Sequence, residues 1–226
     1  KNAYDNRSTR FKEVAVPVWS IVWSRLNRKR RIWLVFEKFC SAAQDNGYYF
    51  FKWCMENLPE DKKKDIYYVI DKKAADYEKL KPYGGQVLQF MSFRHLLYAI
   101  NARVYVGSDS RKHLYAWRPK PNLISIRMAS RPIHFLQHGV TALKRTDGLF
   151  GAKGSSPMTH ITTTSDYEQH IMDEFWGYSP SNAPVLGFTR WDVLEDKSTP
   201  DEKIVLVMPT WRAWLEEKPD EDFIAS

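Results

Sequence analysis

The stretch from Ser92 to Val106, SFRHLLYAINARVYV, reads as a helix (Ser92 to Ile100) feeding directly into a strand (Arg103 to Val106). The same alternation continues on both sides of it. Upstream, Ile32 to Phe36 reads as a strand, Tyr48 to Asn57 as a helix and Ile66 to Ile70 (IYYVI) as a second strand. Downstream, Ile133 to Gln137 (IHFLQ) is the next strand, and the β-rich run Met158 to Thr164 leads into Ser165-Asp166-Tyr167-Glu168. That tetrapeptide matches a capping box, in which the Ser hydroxyl and the Glu carboxylate each satisfy an orphan amide, so a helix to about Trp176 is expected. Short apolar runs alternating with helices are the pattern of a parallel sheet, and the expected class is α/β with a Rossmann-like parallel sheet.

Composition sets the outer limits. The chain has 226 residues, enough for one full domain and part of a second. Lys and Arg exceed Asp and Glu by 34 − 27 = +7, and 43% hydrophobic with 15% aromatic content excludes disorder, collagen and a coiled coil. No run approaches the roughly 18 apolar residues of a membrane span; the best, Ala15 to Trp23, is broken by Pro17 and Ser20. Cys40 and Cys54 cannot make a disulfide framework, so free thiols and a reduced, intracellular setting are expected. The chain starts at Lys1 without a signal-peptide pattern and reads as a piece of something longer.

Three regions are expected: a basic amphipathic segment over 1–31, a Rossmann-like domain over 32–195, and the start of another domain over 196–226. The boundary is placed where Pro184, Gly187 and Pro200 fall among charges, before a new apolar strand from Ile204 to Met208 (IVLVM). In the first region Arg25, Arg28, Lys29, Arg30 and Arg31 follow an apolar stretch that contains Trp19 and Trp23. Such a segment suits the headgroup zone of an anionic bilayer, with Trp19 and Trp23 at the boundary and Arg28, Lys29, Arg30 and Arg31 on lipid phosphates. It equally suits an ordinary element packed on the domain with a solvated charge run behind it. Basic clusters with aromatics also occur in nucleic-acid-binding proteins, but no nucleic-acid partner is expected here.

Metal chemistry is not indicated. His134 and His138 are four apart, but within a strand-like run that lacks the Glu of a zinc-protease motif, and the Cys pair has no second pair nearby. A P-loop and a G-x-G-x-x-G are both absent. What remains is polar residues just past the strands, where open α/β sheets bind ligands: Gly107 to Ser110, Gln137 to Thr141, Thr162 to Asp166, and Pro209 to Arg212. His138-Gly139 stands out. An imidazole there can take a proton near neutral pH, and the glycine permits a sharp turn and close approach of a ligand. A histidine held in ordinary hydrogen bonds is the alternative. Lys144 and Arg145 follow and are placed to hold phosphate oxygens.

Together these loops resemble the CDP-glycerol glycerophosphotransferase family, the teichoic acid primases and polymerases. The resemblance is carried by Asp45-Asn46-Gly47, by Phe135-Leu136-Gln137-His138-Gly139 with Leu143-Lys144 behind it, by Gly187-Phe188-Thr189-Arg190-Trp191-Asp192, and by Pro209-Thr210-Trp211-Arg212. Gln137 stands where the family often has Trp, and Thr189 where Pro is usual. The resemblance implies a GT-B fold, two Rossmann-like domains facing across a cleft, of which this chain holds the first and the opening strand of the second, truncated one. It implies transfer of a polyol phosphate from CDP-glycerol or CDP-ribitol to a lipid-linked polyol-phosphate acceptor, with release of CMP, at the inner leaflet of the bacterial plasma membrane. His138 would be the catalytic base. Gly139, Lys144 and Arg145 would meet the acceptor, Thr210 and Arg212 the donor phosphates, and Asp45 and Asn46 would either touch substrate or cap a loop. No metal ligand is assigned, and the isolated piece is expected to be inactive without its C-terminal domain. A nucleotide-sugar GT-B glycosyltransferase, or a non-catalytic domain that binds anionic polymer or membrane, are the other readings.

Overall fold

A computed structural model describes residues 4, 6–116, 120–142, 145–199 and 205–207. The chain divides into two compact units, Lys1–Val193 and Leu194–Ser226. The first unit is built, in chain order, from α1 (Arg7–Leu26), β1 (Trp33–Phe36), α2 (Asn46–Asn57), α3 (Glu60–Lys63), β2 (Ile66–Ile70), α4 (Tyr77–Leu80), β3 (Val87–Gln89), α5 (Phe93–Asn101), β4 (Val104–Gly107), α6 (Leu123–Ala129), β5 (Ile133–Phe135), α7 (Asp147–Phe150), β6 (His160–Ile161) and α8 (Asp166–Glu174).

All six strands are parallel, in the order β3-β2-β1-β4-β5-β6. The chain therefore winds outward from β1 to one edge, then returns beside β1 and winds to the other. The order reverses between β1 and β4, so their carboxyl ends open a crevice that neither neighbouring connection fills. Both faces of the sheet are covered, as a parallel sheet requires. One face buries Leu34, Phe36, Tyr67, Tyr105, Ile133 and Phe135 beneath α1, α5 and α6. The other buries Val35, Tyr68, Ile70 and Val106 against Phe51 and Cys54 of α2. Both cysteines are free and buried.

Helix starts follow their caps. Ser92 accepts the amide of His95 at 3.1 Å to start α5, whose residues His95 to Ile100 are all buried. Asn122 and Ser125 form a reciprocal capping box on α6. In α8, Ser165 accepts the amide of Glu168 at 3.2 Å, but the Glu168 carboxylate does not return to Ser165 as a capping box requires; it bonds elsewhere, as described below. Of the strand expected over Ile204 to Met208, the end residues lie outside the described residues, and Val205 to Val207 carry no regular structure.

Candidate active site

The crevice between β1 and β4 holds a cavity of about 230 Å³, lined among others by Lys38, Asp45, Ser108, Asp109 and His138. Its walls are fixed by a buried carboxylate. Glu37, directly after β1 and 2% exposed, accepts three backbone amides: Gln44 at 3.0 Å, Asp45 at 2.9 Å and Tyr48 at 2.8 Å. Burial pushes its pKa above the ordinary carboxylate value, against the three amides, which pull it down. The nest clamps the 37–45 loop to the first turn of α2. Gly47 makes that approach possible, since a Cβ there would stand 3.0 Å from the Phe36 carbonyl oxygen and from Glu37 Cγ.

Asn46 joins three segments at the same point. Its side-chain amide donates to the carbonyls of Leu136 (3.2 Å) and Gln137 (2.9 Å), and its Oδ1 accepts the amide of Arg190 at 3.2 Å. Its own carbonyl accepts the Thr189 hydroxyl at 2.7 Å. Arg190 pairs with Asp45 and donates to the His138 carbonyl at 3.2 Å. The loop that bears His138 is thus tied to α2 and to the 187–190 turn.

A second buried carboxylate holds that loop from behind. Glu168, 1% exposed, accepts from Gln137 Nε2 (3.1 Å) and the Thr141 amide (2.6 Å) through one oxygen. Its other oxygen accepts the Thr164 amide (2.7 Å) and hydroxyl (2.8 Å). Gln137 takes a left-handed backbone, φ 59°, and this turn swings His138 outward from β5. The sharp turn expected at Gly139 is therefore made one residue before His138. Gly139 has no left-handed backbone, and a Cβ on it would meet nothing within 4 Å, so its surroundings are open.

His138 is exposed at the crevice. Its Nδ1 lies 2.9 Å from the Ser108 carbonyl oxygen, which can only accept, so Nδ1 carries the proton and a neutral ring keeps its lone pair on Nε2. Next to Ser108, Asp109 accepts from His113 Nε2 at 3.1 Å and from the Ser110 amide at 2.6 Å. Burial would raise the Asp109 pKa, but His113, the Ser110 amide and the nearby His138 hold it below the ordinary value. An outward imidazole with one fixed tautomer, a carboxylate kept ionised close by, and a lysine at the rim can accept a proton from an alcohol and steady charged oxygens.

The model of the family described as CDP-glycerol:poly(glycerophosphate) glycerophosphotransferase matches residues 19–222. The chain belongs to that family. Among curated proteins, the minor teichoic acid biosynthesis protein GgaB of Bacillus subtilis is 28% identical over 196 residues, 84% of this chain and 20% of GgaB. Two structures of the wall teichoic acid polymerase TagF are similar in fold. One, a variant with CDPG, gives TM-score 0.52 at 13% identity, covering 87% of this chain and 51% of TagF. The variant without it gives 0.50 at 15% identity, covering 85% and 50%. The chain thus spans about a fifth of GgaB and half of the TagF chains. The fold is GT-B-like α/β.

Several residues assigned from sequence to substrate have partners within the chain. Asn46 is fully buried with its side chain occupied, so of its two readings the structure supports the loop-holding one. Asp45 caps α2 by accepting the Asn46 amide at 2.8 Å and holds Arg190, while still lining the cavity. Arg145 is exposed and bidentate to Asp147, at 3.2 and 3.0 Å. Its neighbour Thr146 lines a smaller cavity, about 180 Å³, on the other flank of His138. Lys144, Thr210 and Arg212 lie outside the described residues. In the sequence Arg190 stands out only as part of a motif and Glu168 only as a cap. Glu37 carries no sequence signal, because a charged residue after a strand gives no sign that three amides converge on it. Among the described residues, no group of three or more His, Cys, Asp or Glu is placed to hold a metal ion.

The basic segment is a real helix, α1, capped by Asn6 accepting the Thr9 amide at 2.9 Å. Its inner side packs on α5 through Val16 and Ser20. Two of the residues expected at a bilayer are occupied. Trp23 packs against Tyr98, ring centroids 5.6 Å apart. Arg30 is held by Asp65 (2.6 Å), the Tyr67 hydroxyl (2.7 Å) and the Lys64 carbonyl (2.8 Å). Both are half-buried and have packing partners within the chain. Trp19, Arg28, Lys29 and Arg31 remain exposed, with Phe11, Val14, Val18 and Leu26. Among the described residues no helix is long and apolar enough to cross a membrane.

Proposed function

We propose that the protein carrying this chain moves glycerol phosphate, or a related polyol phosphate, from CDP-glycerol or CDP-ribitol to the terminal hydroxyl of a lipid-linked acceptor. In that step the acceptor oxygen bonds to the phosphorus of the polyol phosphate, the pyrophosphate P–O bond breaks, and CMP leaves. The hydroxyl proton goes to His138 Nε2. Such transfers are mainly positioning and charge neutralisation, with a base for the alcohol. The observation that carries the reading is the exposed His138 at the strand-order reversal, its Nδ1–H fixed on the Ser108 carbonyl.

In this reading 32–195 is the acceptor side, and Lys38, Lys144 and Arg145 meet acceptor phosphates near Gly139. The donor side begins in 196–226, and the family resemblance assigns Thr210 and Arg212 to the CDP-polyol phosphates. The chain of 226 residues by itself releases no CMP. The outer face of α1, with Trp19, Arg28, Lys29 and Arg31, rests on the cytoplasmic face of the plasma membrane, each cation near an anionic surface contributing about 1 kcal/mol.

The test is CMP release by the full-length protein from CDP-glycerol and CDP-ribitol, with and without a lipid-linked glycerol phosphate acceptor. His138→Ala is expected to lower kcat by about 10²- to 10⁴-fold while the far-ultraviolet spectrum is unchanged. Near-normal kcat in that variant removes His138 from the chemistry. Nucleotide diphosphate released from a nucleotide sugar, in place of CMP, makes the protein a glycosyltransferase.

A further inference from the structure

On the β2–β3 side of the His138 cavity lies a second and larger one, about 490 Å³, within the roughly 300–1,000 Å³ usual for small-molecule sites. Its walls come from the same carboxyl edge: Phe39 and Ser41 after β1, Asp71 after β2, Phe90 after β3, and His113 and Tyr115 beyond β4. The His113–Asp109 pair is the partition, since Asp109 lines the His138 cavity and His113 lines this one.

The rim is shaped by three non-glycine residues in the left-handed region, Phe39 (φ 55°), Cys40 (φ 51°) and Met91 (φ 57°). Residues held there cluster at ligand sites. Each is tied down: the Phe39 amide donates to His113 Nδ1 at 3.3 Å, Cys40 Sγ to the His113 carbonyl at 3.4 Å, and the Met91 amide to His95 Nδ1 at 3.0 Å. Lys12 Nζ donates to the Met91 carbonyl at 2.9 Å. The effect is to hold the Phe39 ring, 61% exposed, out at the mouth against the edge of His113.

The lining decides the ligand class. Aromatic faces suit the polarised C–H edges of a saturated ring. Among the described residues, the polar groups of the lining are the Asp71 carboxylate, which accepts the Tyr4 hydroxyl at 2.9 Å, the hydroxyls of Ser41 and Tyr115, the His113 ring and Lys112. A carboxylate and hydroxyls beside aromatic rings suit a ligand rich in hydroxyl groups, which can both donate and accept, while Lys112, and Lys38 with its Nζ 5.9 Å from the Phe39 ring, make phosphate the competing probe. We propose that this cavity binds a neutral pyranose ring, a sugar unit of the acceptor whose terminal hydroxyl reaches His138 next door. That the sugar belongs to the acceptor rests on the function proposed above; the sugar site itself does not.

Saturation-transfer NMR on the 226-residue chain, with methyl glucopyranoside, glycerol 3-phosphate and inorganic phosphate as separate probes, tests the site without turnover. The glycoside is expected to receive saturation, and Phe39→Leu, which keeps bulk and backbone but removes the aromatic face, to weaken it about tenfold. Phe39→Gly, which accepts the left-handed backbone without strain, gives the same loss. His138→Ala leaves glycoside binding intact, so failure of the chemistry and failure of the site are read separately. In the full-length protein Phe39→Leu raises KM for the acceptor about tenfold and leaves KM for CDP-glycerol unchanged. Absence of glycoside saturation, a signal unchanged in both Phe39 variants, or a rise in the CDP-glycerol KM instead overturns the proposal.

Discussion

The carboxyl edge of the sheet and the outer face of α1 break the usual rule of burial in opposite directions. At the edge, charged and amide side chains are buried: Glu37, Asn46, Gln137 and Glu168 are each at most 2% exposed. On α1, large apolar side chains are exposed, Val14 at 72% and Leu26 at 80%. Lone exposed apolar residues are ordinary, whereas buried carboxylates need partners and a contiguous apolar face usually covers something. The edge meets its cost with a closed set of hydrogen bonds to backbone amides, which makes it rigid and lets one imidazole stand out at a fixed angle. The helix α6, which packs against α1, likewise exposes Leu123 and Ile126. The edge is held from within, whereas the apolar side chains on the outer face of α1 stay exposed.

Acid is expected to have the largest effect. Burial lowers the pKa of His95 to about 3, and burial followed by the charge of His160 lowers that of His134 to about 4. Both are neutral in the fold, while the unfolded chain takes up protons below about pH 6.5. Their stabilisation is therefore complete above that pH and is lost as pH falls toward 4, at about 1.4 kcal/mol per pH unit for each. Urea titrations between pH 7 and 4.5 should show this, and His134→Asn should remove one histidine's share of the slope. A pH-independent midpoint contradicts the burial argument.

Next in size is Glu37→Ala, which leaves three amides without an acceptor and should cost about 3 kcal/mol or more in chemical denaturation. A loss under about 1 kcal/mol means that the nest does not hold the edge together. Arg30 and Arg31 sharpen the contrast within two neighbouring residues. Arg30→Ala should cost about 1–3 kcal/mol of stability and leave binding to anionic vesicles unchanged. Arg31→Ala should weaken vesicle binding about fivefold, for roughly 1 kcal/mol, with stability unaltered. Exchange of those two outcomes would reverse the account of α1. The smallest effect is expected at Gly139→Ala, under about 0.5 kcal/mol of stability, because the added methyl meets open space.

The sheet was legible because strands covered on both faces read as unbroken apolar runs: Ile66 to Ile70 was read with the bounds that the structure gives. β3 escaped, being three residues after the Gly84-Gly85 turn, too short for any period to register. The start of α1 at Arg7 escaped because its first turns carry polar residues and their signal is the Asn6 cap alone. At the site, His138 could be found because a histidine after a strand is chemically conspicuous. The residues that aim it could not, since Glu168 lies thirty positions away and its bonds to Thr141 and Gln137 depend on the packing of α8 beside β5. The left-handed Gln137 gives no sequence cue, because the neighbouring glycine draws the eye.

In the proposed reaction the ring at position 138 takes the proton of the attacking alcohol. Replacing it by glycine in the full-length protein and adding imidazole asks the question directly. The account predicts that His138→Gly is nearly inactive and that CMP release returns in proportion to the free-base imidazole present. Unchanged inactivity at saturating imidazole, in a variant that still folds and still binds CDP-glycerol, would contradict it.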